Sequence, residues 1–239
     1  MIQTNKIIIK TSHPRSLTLP RLLGKQEILI EVLAGQTGEI LFLGDFKQRH
    51  ARSSVKLKIK IHKNAKLNFI ESLKGGESMV SWILVELLEP GAECLITNML
   101  QADQAERHNF QITMHHQAPE TKGDILVKAV YQKQARGDFR GLIKVESNSQ
   151  KIESFYKDDI LLLDKAQAIS NPTLEITAND VKASHSSTIA NLNPDQIFYL
   201  RSRGLNYQAA RDLLVAGFFV PALSRLPQAF CQPFLPKSD

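Results

Sequence analysis

The chain has 239 residues, with 30 Lys+Arg against 24 Asp+Glu, a net charge of +6 and 43% hydrophobic residues. This composition excludes a disordered tail or a collagen-like fibre, and the length suits one large domain or two small ones with a real core. Two cysteines, Cys94 and Cys231, exclude a disulfide framework, and no Cys/His cluster has zinc-finger spacing.

The chain opens MIQTNKIIIK, without the long apolar segment of a signal peptide. Short β-prone segments follow at Glu27–Leu33, Glu39–Leu43, Val55–His62, Lys66–Leu73 and Met79–Leu88. They continue at Glu93–Leu100, Asn109–His115, Asp124–Tyr131, Phe139–Val145 and Leu174–Ala178. In Val55–His62 the apolar Val55, Leu57, Ile59 and Ile61 alternate with Lys56, Lys58, Lys60 and His62. A period of two places the apolar set on one sheet face and the basic set on the other. Gly75–Gly76, Pro90–Gly91, Gly123 and Arg136–Gly137–Asp138 read as turns between strands. No long amphipathic helix interrupts the series, which argues against βαβ units. A sandwich, a barrel or a β-solenoid remains, and the scarcity of two-residue hairpin signals favours the solenoid.

The C-terminal quarter changes character. Asn193 caps a helix with Pro194 at its first position and Gln196 at its third, a cap worth about 1 kcal/mol. That helix is expected to reach Arg203 and stop at Gly204. Asn206 caps a second helix, expected to end at Gly217. On it Ala209, Ala210, Leu213 and Leu214 share one face, and Arg211 and Asp212 point away. The domains are therefore residues 1–192, 193–226 and a Pro-rich tail, 227–239. The longest apolar stretch, Leu213 to Leu223, is too short to span a bilayer. A soluble cytoplasmic protein is expected.

Several motifs in register resemble one family. Leu174-Glu175-Ile176, Asn179-Asp180-Val181-Lys182 and Ser184-His185 are followed by Phe198-Tyr199-Leu200, Ser202-Arg203-Gly204, Ala210-Arg211 and Gly217-Phe218. Upstream, Ala118-Pro119, Thr121, Asp124-Ile125-Leu126 and Phe139-Arg140-Gly141 also fit. The series resembles the C-terminal core of the SufB/SufD family of iron–sulfur cluster assembly proteins, closely over about residues 108–225 and loosely before. The resemblance implies a mainly β fold, a right-handed parallel β-helix followed by a small C-terminal helical region. It implies a short, SufD-like member that starts almost directly in strands. It also implies two partners: a SufC-type ABC ATPase on the helical region, and a SufB-like paralogue or a second copy along the β-helix. The chain is then a non-catalytic subunit.

The same resemblance links His185 to cluster formation at a subunit interface, so a transient iron–sulfur cluster is the expected cargo. Imidazole binds metal or relays a proton near neutral pH; the bland alternative is a histidine hydrogen-bonded within a strand edge. The family reads Ser-His-Gly-Ala-Thr, whereas Ser186 and Ser187 follow His185 here. SufB-like chains place a cysteine about one coil upstream and a glutamate after the histidine; here Asp158 and Ser186 stand at those positions. Phe198, Tyr199, Arg201, Arg203 and Phe218 are the candidate ATPase contact, since aromatic and arginine residues dominate interface hot spots. No GxxxxGK[ST] loop is present, so the chain is expected to bind no nucleotide.

Other residues read as structural. Cys94 is expected to be buried and inert, and Cys231 incidental. His115 and His116 are adjacent in a strand and face apart; His108 and His116 share a face. The Lys56–Lys60 face, extended by Lys63 and Lys66, has no aromatic interleaved with it, so nucleic acid is not an expected partner. The alternative classes are a carbohydrate-active β-helix enzyme and a basic nucleic-acid-binding protein; against the first, Asp158 and Asp159 are adjacent and would face apart on a strand.

Overall fold

The computed structural model describes residues 2–10, 15–46 and 50–226. Its strands, β1–β14 in chain order, form two seven-stranded sheets. Sheet A stacks β1 (Ile2–Ile9), β3 (Gly24–Val32), β5 (Arg52–Ile61), β7 (Ser78–Leu87), β9 (Arg107–His116), β11 (Arg136–Val145) and β13 (Gln167–Ile176). Sheet B stacks β2 (Arg15–Pro20), β4 (Thr37–Phe46), β6 (Lys66–Gly75), β8 (Glu93–Ala102), β10 (Lys122–Tyr131), β12 (Ile152–Leu162) and β14 (Val181–Asn191). Every neighbouring pair is parallel. Each odd strand and the even strand after it make one coil of a β-solenoid, so the fold is the parallel β-helix.

Alternation decides which side chains enter the solenoid. Val55, Leu57, Ile59 and Ile61 are buried inside, stacked on Ile28, Ile30 and Val32 below and Ile83, Val85 and Leu87 above. Lys56, Lys58 and Lys60 stand outside. Lys58 pairs with Glu86 at 3.1 Å, and His62 bridges Glu31 and Glu89. The Glu89 carboxylate beside His62 holds its imidazole above the usual range. One expectation is corrected: Trp82 registers beside Lys56, whose ammonium lies 6.0 Å from the indole centroid, so this face does carry an aromatic.

All ten expected strand segments fall on strands, but Leu174–Ala178 marks only the end of β13, and Ala178 lies beyond it. Gly123 and Gly137 are not turns. They occupy the second positions of β10 and β11 and face inward, because a Cβ there would collide with neighbouring side chains. At Gly137 the added carbon would overlap the rings of Tyr131 and Phe139. These rings stack on one another and, with Phe110, fill the middle of the interior. Gly137→Ala is therefore expected to cost about 1–3 kcal/mol in urea unfolding through overpacking; an unchanged midpoint would show that the aromatic stack yields freely.

The corners after β8, β10 and β12 carry Gln104, Lys133 and Asp164 at φ of 55°, 57° and 60°. None of the three is glycine, and each residue's stacked neighbours share its conformation. Gln134 N–H donates to Gln104 O at 2.8 Å and Lys165 N–H to Lys133 O at 2.9 Å.

The interior also holds a buried ion pair. Arg21, between β2 and β3, sends its guanidinium into the core, where it donates to Glu71 Oε1 at 2.6 Å, Ser81 Oγ at 2.7 Å, Ser53 Oγ at 3.1 Å and Val80 O at 2.8 Å. Asn98 Nδ2 donates to the other Glu71 oxygen at 2.7 Å. Desolvation pushes the Glu71 carboxyl up, and Arg21 is the main influence opposing it.

Two helices follow. In α1 (Pro194–Ser202) the Asn193 side chain accepts from Asp195 N–H at 2.8 Å, and Gly204 beyond it adopts φ of 98°. In α2 (Tyr207–Leu223) Asn206 caps Ala209 N–H. The second helix does not stop at Gly217. It runs through Pro221, whose ring meets the carbonyl of residue 217, where glycine stands. Burial of Phe219, Ala222 and Leu223 on the outer face of sheet B holds it helical. Arg211 does not point away either: it reaches Asp164 at 3.2 Å and Gln132 at 2.7 Å, whereas Leu213 is exposed.

Candidate functional site at the open end of the solenoid

Among the described residues, the last coil, β13 and β14, has no coil above it. Its inward positions, Ala168, Ser170, Leu174, Val181 and Ala183, are only half-buried, and its edges are unpaired among the described residues. An unpaired parallel edge over an uncovered core is a place for another chain to add.

His185 lies on β14 in register with Tyr156 of β12, on the face that continues the solenoid interior. It is exposed, and among the described residues its ring makes no side-chain hydrogen bond or ion pair. Ser186 faces outward without positive φ, so serine is accommodated where the family reads glycine.

Below His185 lies a polar floor that sequence reasoning did not assemble. Asp158 registers with Ser187 and is fully buried. Its Oδ2 accepts from Tyr156 OH at 2.9 Å and from Ser170 Oγ. The Tyr156 ring lies where a Cβ on Gly141 would be, so Gly141 makes its room. The hydrogen bonds tie β12 to β13 across the interior. Asp159, the next residue, faces out and pairs with Lys128 at 2.7 Å and Lys157 at 3.5 Å. The two carboxylates thus serve opposite faces and do not flank one bond.

The candidate helix residues divide. Phe198 is 74% exposed, Tyr199 is 56% exposed, and Arg201 and Arg203 are exposed, with the Arg203 guanidinium 5.3 Å from the Tyr199 ring centroid. Phe218 is turned inward: its ring lies 4.4 Å from Lys128 Nζ and edge-on to Phe219. A groove of about 380 Å³ between the helices is lined by Asp195, Gln196, Tyr199, Leu200, Leu213 and Leu214.

The other candidates are structural. Cys94 is buried among apolar side chains, which pushes its thiol up. Cys231 lies outside the described residues. His108 and His116 point into the core; His116 Nδ1 meets Thr121 Oγ1 at 2.7 Å, and His108 Nε2 meets Gly75 O at 3.3 Å. His115, on the outside, meets Glu146 at 2.7 Å. Among the described residues no three His, Cys, Asp or Glu side chains converge to hold a metal, and no helix is long and apolar enough to cross a membrane.

A parallel β-solenoid whose last coil is uncovered among the described residues, with an appended pair of helices, is the class these features define. Residues 27–218 match the family described as SUF system FeS cluster assembly, SufBD core domain. The chain belongs to this SufB/SufD family. It is 32% identical over 123 residues to the iron–sulfur cluster assembly protein SufD of Bacillus subtilis, covering 51% of this chain and 28% of that protein. It is 34% identical over 141 residues to a SufBD family protein of Synechocystis, covering 59% and 31%. A SufBD family protein of Mycobacterium tuberculosis is 28% identical over 167 residues, covering 70% and 20%. The chain thus spans less than a third of each of these relatives.

Proposed function

We propose that this chain is a non-catalytic, cytoplasmic subunit of a SUF-type iron–sulfur cluster assembly complex. It docks a SufC-type ABC ATPase on its helices and pairs at the bare end of its solenoid with a SufB-like chain or with itself. The cluster is a passing cargo at that interface near His185, and nucleotide stays on the ATPase. Family membership supports the process. The observation that carries the assembly role is α1, which buries no residue and holds Phe198, Tyr199, Arg201 and Arg203 in solvent. Aromatic and arginine side chains presented together are what a protein partner uses for anchoring.

The test is co-expression with a SufC-type ATPase, with and without a SufB-like chain, followed by anaerobic purification and iron and sulfide analysis. A complex that gains iron and sulfide only with the SufB-like chain is expected. A cluster held with the ATPase alone would make this chain a scaffold in its own right. Phe198→Ala combined with Arg203→Ala is expected to weaken ATPase capture at least tenfold without moving the unfolding midpoint, both residues being exposed. Unchanged capture would remove the ATPase from this surface.

A further inference from the structure

The solenoid interior contains two buried carboxylates in one row. Phe42, Glu71, Asn98, Val127, Asp158 and Ser187 are successive register partners on the inner face of sheet B. Facing them on sheet A runs Val55, Ser81, Phe110, Phe139 and Ser170. Each carboxylate therefore meets a serine of the opposite sheet: Glu71 shares Ser81, and Asp158 shares Ser170. Val127, Phe110 and Phe139 form the apolar plug between the two clusters.

The clusters differ in one component. Glu71 has a cation, Arg21, which enters from the short link beside the N-terminal coil and spends its donors on Glu71, Ser81 and Ser53. Asp158 has only the neutral hydroxyls of Tyr156 and Ser170. Its Oδ1 is buried without a hydrogen-bond partner, and so is Ser154 Oγ. No Lys, Arg or His of the described residues pairs with it. A buried carboxylate is ordinarily matched by a countercharge. Asp158 lies one strand below the open edge, beneath Ser187.

We propose that Asp158 is the acceptor for a basic side chain, guanidinium or ammonium, that a partner subunit inserts through the open end when it docks. The proposal rests on the reading that this end docks a partner. It repeats at the C-terminal end what Arg21 does near the other, and it would match the Asp158 oxygen that the chain itself leaves without a partner. A second copy does not fit the role. The inward positions of its own last coil are Ala168, Ser170, Pro172, Leu174, Ile176, Val181, Ala183, His185, Ser187 and Ile189, with no Lys or Arg among them. The partner is thus a non-identical chain, and Asp158 selects it by charge.

The experiment measures binding of the purified full chain to a SufB-like chain by titration calorimetry. Asp158→Asn keeps the acceptor oxygen for Tyr156 and Ser170 and removes the charge. It is expected to weaken binding at least tenfold with the unfolding midpoint held within a few degrees. Substitution of one Lys or Arg of the partner by Met should weaken binding equally, and the two changes together should be no worse than either alone. Ala183→Trp, which fills the mouth, tests the docking reading separately. If Ala183→Trp abolishes binding and Asp158→Asn does not, docking stands and the cation is overturned. If neither affects binding, the end is not the interface and both readings fall. Binding that needs Asp158 but is lost in a chelator would assign the charge to a bridging metal and overturn the basic side chain. A symmetric dimer as the sole complex, indifferent to Asp158→Asn, also overturns it.

Discussion

Arg21→Met is expected to lower stability by about 3–5 kcal/mol, measured by urea unfolding at pH 7. The loss comes from what stays behind. Glu71 is fully buried, and without the guanidinium its charge retains only Ser81 and Asn98 as donors. Ser53 and Val80 lose a donor as well, although Ser53 still donates to Leu22 O at 2.8 Å. Met supplies the stem's apolar volume, so packing changes little. Arg21→Met with Glu71→Gln should recover most of the loss, because Gln accepts from Asn98 and is neutral. If the double variant is as unstable as the single one, the arginine acts through shape and not through charge.

The second large effect is acid lability from two core histidines. Burial pushes His108 down to about 3, and burial with a smaller contribution from His115 pushes His116 down to about 4. In the unfolded chain both titrate near ~6.5. The folded protein therefore keeps both rings neutral while the unfolded chain takes up protons. Their contribution is complete above about pH 6.5 and is lost as pH falls towards about 4 for His116 and about 3 for His108, on the order of 3 kcal/mol for each ring between pH 7 and pH 4. His108→Phe and His116→Leu should each flatten the fall in stability between pH 7 and pH 4 by that order, read as urea midpoints across the range. Unaltered pH dependence in both variants would mean that the rings are protonated in place.

Alternation made the coil interior legible in the sequence: the Val55–Ile61 pattern alone places four core residues correctly. Glycines misled where they serve packing. Gly123 and Gly137 look like turns, but they make room for Met114 and Ser154 and for the Tyr131 and Phe139 rings, and composition alone does not show which side chains turn inward beside them. Gly75, Gly76 and Gly91 do stand at corners with positive φ, whereas Gln104, Lys133 and Asp164 hold the same left-handed backbone without glycine. β14 was missed as a strand because VKASHSSTIAN lacks sustained apolar alternation; its inward face has no coil above it to bury against. The site followed the same division. His185 was reached through family resemblance, whereas the floor of Tyr156, Asp158 and Ser170 depends on register between β12 and β13 across the interior. Phe218 was counted with the exposed aromatics because helix phase alone did not show Lys128 beneath it.

The second helix gives the rod a mechanical character. Arg211 fastens one end to Asp164 and Gln132, and Arg225, just past the helix, fastens the other to Asp124 at 3.1 Å, with Asn68 Nδ2 donating to Arg225 O at 3.2 Å. Along its length it joins an apolar cluster that holds Ile70, Met99, Leu126 and Leu161, one from each of four coils. Hydrogen bonds between coils run along the rod and resist stretching on both sides equally. Among the described residues, only the outer face of sheet B has a splint laid across the joints. Bending that opens the coils on that face strains the splint, while bending that opens sheet A does not. The molecule is a beam stiffened on one flank, and a load applied through its helices is carried into several coils at once.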